Sequence, residues 1–214
     1  NRSNLQRIFR NVLSLNPKLN LPKVEKKKKV GIGIHSTAQS KYWNNSTGWQ
    51  EVVDYLRSFG YECMIYSKEN DGYMGNHHPN GVTKFIGGTL QDVIDDLSTC
   101  EFFIGLGSGL SWLAWACELP VVLISGFTDV YLEPFGDIHR IINKDVCNSC
   151  WSKYEFNHNN WYWCPVYAGT ENRFECSKSI TGEAVIENVK NLINNLKEEV
   201  DYKYLYGTGN SASE

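Results

Sequence analysis

Long apolar runs are missing from these 214 residues. Nothing approaches the ~18 consecutive apolar residues that a membrane-spanning helix needs, so a helical span is excluded. Positive charge is not in excess either: 21 Lys and Arg stand against 24 Asp and Glu, for a formal net charge of −3. Such a balance leaves no global basic field to draw nucleic acid. No signal-peptide pattern opens the sequence, no initiator methionine heads it, and no solenoid-type repeat runs through it. Beginning at Asn1, the chain reads as a fragment or a processed product. Neither GxxxxGK[S/T] nor GxGxxG occurs, so its loops are neither a P-loop nor a dinucleotide fingerprint.

What remains is ordinary for a globular protein, with 42% hydrophobic and 21% charged residues. The seven cysteines do not read as a disulfide framework. Cys63, Cys100 and Cys117 are scattered among apolar residues, as small core side chains are. Cys147, Cys150, Cys164 and Cys176 crowd together with one tight CxxC pair, which points to a reducing, cytoplasmic setting and to metal binding. A CxxC turn lets two sulfurs meet one metal, and two more from a returning loop complete a tetrahedral site. By chemistry alone zinc is the default and iron the runner-up, with disulfides or unliganded thiols as the bland alternative. Four sulfurs fill a tetrahedral site, so its role is structural and His158 is not needed. His77 and His78 fall in an irregular loop, "MGNHHPNG", which reads as solvated sooner than as a second metal site.

Along the chain, Leu5, Ile8, Phe9, Val12, Leu13 and Leu15 carry a helical period over residues 1–22. A lysine-rich stretch, "LPKVEKKKKV", follows and reads as a solvated linker. From Val30 onward strands and helices alternate. "VGIGIH", "YECMIYS", "VTKFIGG", "EFFIGLG", "VVLISGF" and "IHRIIN" read as strands. "GWQEVVDYLRSFG" reads as a helix with Val52, Val53, Leu56 and Phe59 on its inner face and Gly60 as its stop. "TLQDVIDDLSTC" is a helix with Thr89 as N-cap and Leu90, Val93, Ile94 and Leu97 inward. "SGLSWLAWACELP" is a third, and "GEAVIENVKNLINNLKEEV" a last. Continuous apolar strands alternating with helices predict an α/β fold, a doubly wound parallel sheet. The expected organisation is a helix and Lys-rich linker over 1–29, a Rossmann-like domain over 30–146 and 179–200, a four-cysteine insertion over 147–178, and a polar tail over 201–214.

Ligands of such folds bind beyond the carboxyl ends of the strands. Two strand ends stand out. After the first comes "HSTAQSKYW", in which Ser36, Thr37 and Lys41 offer hydroxyls, backbone N–H groups and a cation suited to phosphate oxygens. The other is "GLGSGLSWLAW", where Gly107, Ser108, Gly109, Leu110 and Ser111 open a helix whose first N–H groups favour an anion. Either alone also fits a plain polar turn. Facing one crevice, the two would suit a diphosphate.

These loops resemble those of the heptosyltransferases that build lipopolysaccharide core. Ser36, Thr37, Lys41 and Trp43 match the spacing of that family's diphosphate loop. In its second loop, usually Asp-Thr-Gly-Leu-Ser-His, Gly107 stands where the Asp is expected and Trp112 where the His is. The departures move the resemblance toward the bacterial autotransporter heptosyltransferases, whose "KYWNN", "SSGLSWLAWA" and cysteine cluster this sequence resembles over residues 30–190. The resemblance implies the carboxyl-terminal, donor-binding half of a two-domain GT-B glycosyltransferase. The donor would be ADP-heptose or another nucleotide-diphospho-sugar, and the acceptor Ser or Thr of an autotransporter-like protein. It tips the metal toward structural iron on the four cysteines. It places Glu69 at the ribose and Phe85 to Gly88 beside the base. The catalytic carboxylate would come from a missing amino-terminal domain, so the catalytic residue is unknown. If this chain alone transferred sugar, the base would have to be sought among Asp129, Glu133 and Asp137. A homo-oligomer is left open. The competing class is a non-catalytic α/β scaffold with a zinc-ribbon-like insertion for protein contacts.

Overall fold

The computed structural model describes residues 19 and 21–206. The apolar residues of the helical period, Leu5 to Leu15, lie outside these, and Leu19 and Leu21 pack against one of the two main cores. Six strands form one sheet: β1 (Lys29–Gly33), β2 (Glu62–Ile65), β3 (Thr83–Lys84), β4 (Phe102–Leu106), β5 (Val121–Ile124) and β6 (Ile138–Ile141). Their order is β3-β2-β1-β4-β5-β6, and every neighbouring pair is parallel. Around them lie α1 (Gly48–Ser58), α2 (Leu90–Leu97), α3 (Gly109–Ala116), α4 (Cys150–Lys153), α5 (Glu175–Lys178) and α6 (Gly182–Tyr206). None of the described helices is long and apolar enough to cross a membrane.

Burial on both faces explains why the strands are apolar throughout. Val30, Ile32, Phe102, Ile104, Val122 and Ile124 join one core with Val52, Val53 and Leu56 of α1 and Val185 and Val189 of α6. Alternate residues Phe103, Val121 and Leu123 join the other with Ile94 and Leu97 of α2 and Ala114 of α3. The second core depends on missing side chains. A Cβ at Gly31, Gly33 or Gly105 would come within 2.8, 2.7 or 2.4 Å of the Phe103 ring, so this ring fills the room that three glycines leave.

Helix ends follow local rules. Thr89 caps α2 in a reciprocal capping box with Asp92. Gly60, at φ 78°, takes the left-handed turn past α1. Phe59 and Leu90, expected inward, are 49% and 65% exposed. Phe59 is the C-cap of α1, where the chain has left the helical path, and its ring rests on Tyr55 at 4.9 Å. Leu90 is the first residue of α2, in a turn that the capping box holds at the solvent edge.

The lysine run is not wholly solvated. Lys29 opens β1, is 2% exposed and pairs with Asp96 at 2.8 Å. Lys26 donates to the Ser98 carbonyl at 2.8 Å. Both amines cap the carboxyl end of α2, where a cation is favoured. β3 is shorter than the seven-residue apolar stretch suggested, and α6 runs past Val200 to Tyr206. Residues 147–178 hold only the short helices α4 and α5 among turns, with a small aromatic core of Phe127, Cys150 and Trp163.

Candidate functional site

Strand order reverses between β1 and β4, so the loops leaving these strands diverge and open a crevice. Beyond β1 the chain passes Ser36 and Thr37 and tightens into a single 3₁₀ turn at Gln39–Lys41. Thr37 is exposed, whereas the Ser36 and Ser40 hydroxyls are buried with no hydrogen-bond partner. Lys41 is half-buried, its Nζ 5.8 Å from the centre of the Phe127 ring. Burial holds its ammonium below the usual lysine range, and no ion pair to it occurs among the described residues. A desolvated cation with no counter-charge is costly unless an anion arrives.

Beyond β4 the chain turns into α3. Ser108 is its N-cap, yet the Ser108 hydroxyl makes no capping bond and is buried without a partner. Gly109 is exposed, with nothing within 4 Å of the position a Cβ would take. Lys41 and Gly107 line one crevice with Ser40, Ser125, Phe127 and Thr128. The structure thus brings the two loops together.

Other sequence-nominated residues are placed differently. The Ser111 hydroxyl is fully buried and donates to the Leu106 carbonyl at 2.6 Å, so this hydroxyl is committed within the fold. The Leu110 Cβ sits over Gly33, 3.7 Å from where a Cβ there would lie. Trp43 is 3% exposed. Its Nε1 donates to the Ile180 carbonyl at 2.8 Å and its ring fills the space above Gly48, bracing the loop against the segment before α6. Glu69 lies beyond β2, outside the crevice lining, its carbonyl accepting from Lys84 Nζ at 2.7 Å. Glu133 is 1% exposed. Its carboxylate accepts from Ser125, Thr128 and, at 2.6 Å, Arg140 Nε, an arrangement that fixes the crevice wall and commits this carboxylate to it. A Cβ at Gly107 would lie 3.4 Å from this carboxylate, so Glu133 supplies negative charge close to the position where the resembled family has Asp.

Sequence reasoning missed Ser125, Phe127 and Thr128 in the crevice wall. Their signal was available: they follow an apolar strand, β5, on the same edge as the two nominated loops. His35 was also passed over. It is 7% exposed, with Nδ1 2.6 Å from Ser67 Oγ and Nε2 unpartnered. Burial, and then the neighbouring His78 imidazole, push its pKa down to about 4. His77 pairs with Asp71 at 3.4 Å in an exposed loop.

The four clustered cysteines are unpaired, and Cys150, Cys164 and Cys176 are buried. Burial first, and then Cys147, Cys150 and Cys164 nearby, push the Cys176 thiol up to about 12. Burial, and then Cys147 and Cys164, push Cys150 up to about 11. The four thiols thus lie in one another's field. Among the described residues, however, no group of three or more His, Cys, Asp or Glu side chains has the arrangement of a finished metal site. The donor chemistry fits a thiophilic cation. Four clustered sulfurs, three of them buried, would be stabilised as thiolates by a bound metal.

Comparison with known proteins gives this geometry a context. The chain is 44% identical over 184 residues to the autotransporter heptosyltransferase Aah of Escherichia coli, spanning 82% of this chain and 47% of that protein. The crystal structure of TibC from enterotoxigenic E. coli, a heptosyltransferase described as iron-containing and dodecameric and solved with ADP-D-β-D-heptose, superposes with a TM-score of 0.75 at 41% identity, over 83% of this chain and 48% of that one. E. coli ADP-heptose lipopolysaccharide heptosyltransferase II, at 16% identity and a TM-score of 0.55 over 84% of this chain and 49% of its own, shares the fold. The chain therefore spans about half the length of the curated relatives it matches. The model of glycosyltransferase family 9 (heptosyltransferase) matches residues 14–157, from before β1 into the cysteine insertion, and the chain belongs to that family.

Proposed function

We propose that this chain is the donor-binding half of a heptosyltransferase, holding ADP-heptose or a closely similar nucleotide-diphospho-sugar in the crevice between the β1 and β4 loops. One observation carries the reading. Lys41 is a half-buried ammonium with no carboxylate partner among the described residues, on a crevice that Gly107, two residues before α3, also lines. A diphosphate there would neutralise Lys41, accept from the unpartnered hydroxyls of Ser36, Ser40 and Ser108, and meet the free N–H groups at Gly109 and Leu110. As the glycosidic bond breaks, negative charge grows on the departing diphosphate. A cation already desolvated beside it stabilises that charge more strongly than one in water would. Glu69 is assigned to the ribose.

The acceptor in this reading is a Ser or Thr hydroxyl of an autotransporter-like protein. The base that deprotonates it is assigned to an amino-terminal domain, because the buried acid nearest the crevice, Glu133, is committed to Arg140. Cys147, Cys150, Cys164 and Cys176 would hold a structural iron, which supplies a tetrahedral anchor for a segment poor in aliphatic side chains.

Calorimetry tests the donor site. ADP is expected to bind and adenosine to bind far more weakly; no binding of any ADP-sugar would leave the scaffold reading in its place. Radiolabelled ADP-heptose and an autotransporter passenger fragment test transfer. This chain fused to an amino-terminal half from a relative is expected to label the passenger, and the chain alone is not. Robust labelling by the chain alone would overturn the assignment of the base to another domain.

A further inference from the structure

Gln39, directly before the crevice residues Ser40 and Lys41, has polar partners from three separate parts of the chain. It is 8% exposed. Its backbone N–H donates to the Trp161 carbonyl at 3.0 Å, and Trp161 Nε1 donates back to Gln39 Oε1 at 3.2 Å. Its Nε2 donates to Asn44 Oδ1 at 2.9 Å and Asn76 Oδ1 at 3.0 Å. Asn76 Nδ2 donates to Oε1 at 2.9 Å, and Asn44 Nδ2 donates to the Gln39 carbonyl at 3.0 Å. Trp161 belongs to the cysteine insertion and Asn76 to the loop between β2 and β3. Asn44 is itself tied to Ser177 Oγ at 2.9 Å, next in sequence to Cys176.

Gln39 is also the first residue of the short turn that ends at Lys41. A single 3₁₀ turn has little stability of its own, so the position of Lys41 depends on what holds the residues before it. On the opposite wall, Phe127 packs on Trp163 at 5.9 Å and Trp151 at 5.7 Å, both from the insertion. The two sides of the crevice therefore rest on the same segment.

We infer that Gln39 is a positioning residue: through Trp161 it transmits the order of the cysteine insertion to the loop that carries Lys41, so donor affinity depends on a segment that does not line the diphosphate site with its own cysteines. The inference rests on the donor-site reading above. It adds that the insertion sets how well the diphosphate is held, beyond anchoring itself.

Calorimetry with ADP and adenosine on the full chain tests this, using Gln39→Met, Trp161→Phe and the double variant. Methionine keeps the length and packing of Gln39 and removes only its side-chain hydrogen bonds. Gln39→Met is expected to weaken ADP about tenfold, leave adenosine unchanged and leave the melting temperature within a few degrees. Trp161→Phe is expected to weaken ADP about threefold, and the double variant to be no weaker than Gln39→Met alone, since coupled residues are not additive. ADP affinity untouched by Gln39→Met would overturn the inference. So would equal losses for ADP and adenosine, which mark a merely structural role, or a double variant whose loss is the product of the two single losses, which severs the route through Trp161. An unaltered chain that binds no ADP would overturn the donor-site reading, and the inference with it.

Discussion

The parallel sheet and the cysteine insertion share one chain and are held together by opposite means. The sheet hides aliphatic side chains on both faces, and Val30, Ile32, Ile104, Leu106, Val121, Val122 and Leu123 are all fully buried. Each such side chain contributes about 1.5–3 kcal/mol when taken out of water, so the sheet carries its own stability. The insertion between Cys147 and Cys176 packs rings and sulfur instead: its Trp163 meets Phe156 and, from outside the insertion, Phe127 edge to face beside Cys150, near thiols that burial makes hard to ionise. The crevice is built where these two regimes meet, with a floor from strand ends and walls steadied by the insertion.

Breaking the sheet should have the largest effect. Phe103→Ala removes the ring that three glycines accommodate and is expected to cost about 3–5 kcal/mol, read as a lower urea midpoint for the whole chain. Breaking the insertion should act locally. Purified protein is expected to carry about one iron per chain, and Cys164→Ser or chelation should release it. Proteolysis should then cut within residues 147–178 while the strands stay protected; loss of the whole fold would show that the two regions are not separable.

The seam responds to smaller changes. Lys41→Ala is expected to weaken ADP by about 1.5–3 kcal/mol, the range for hydrogen bonds to charged groups, with adenosine barely affected. Equal loss for both ligands would make Lys41 a support of the fold. Smallest is the effect of pH at His35. Its folded pKa, lowered to about 4, means that the unfolded chain binds the extra proton between about pH 6.5 and 4. Stability from this group is full above about 6.5 and declines as pH falls toward 4. Unfolding free energies from urea titrations at pH 7 and pH 5 should differ by about 1–2 kcal/mol from this source, and His35→Phe should flatten that part of the slope.

How far the sequence was legible follows the same division. Parallel strands covered on both sides are uninterrupted apolar runs, and Thr89 and Gly60 mark helix ends through their own chemistry, so the α/β alternation was readable. Periodicity does not say where a helix starts or stops, which is why it places Phe59 and Leu90 inward. A lysine run looks solvated when its partner, Asp96, is distant in sequence. The cysteine spacing pointed to a cluster, and the thiols do share a field, but spacing carries no information about how sulfurs are oriented. Gln39 gave no signal, because its partners Asn76 and Trp161 lie far along the chain. At the crevice, Lys41 and Gly107 stand out by residue type and do line one crevice, whereas Ser111 and Trp43 show that a residue in a nominated loop can be occupied with its own hydrogen bond or packing.

The order of the strands also bears on how this molecule comes into being. β1 pairs with β2 on one side, but its other neighbour is β4, where Val30 meets Phe102. That contact closes a long loop, and no hairpin anywhere in the sheet offers a local start, since every pairing is parallel. Closing long loops before the strands reward it makes such sheets slow to assemble. On a ribosome, β1 would wait with one edge bare until β4 emerged, and the wall around Phe127 would wait longer for Trp163. The crevice proposed to meet the ligand therefore closes late, and until its strands have found their neighbours their bare edges leave the nascent chain open to edge pairing with other chains.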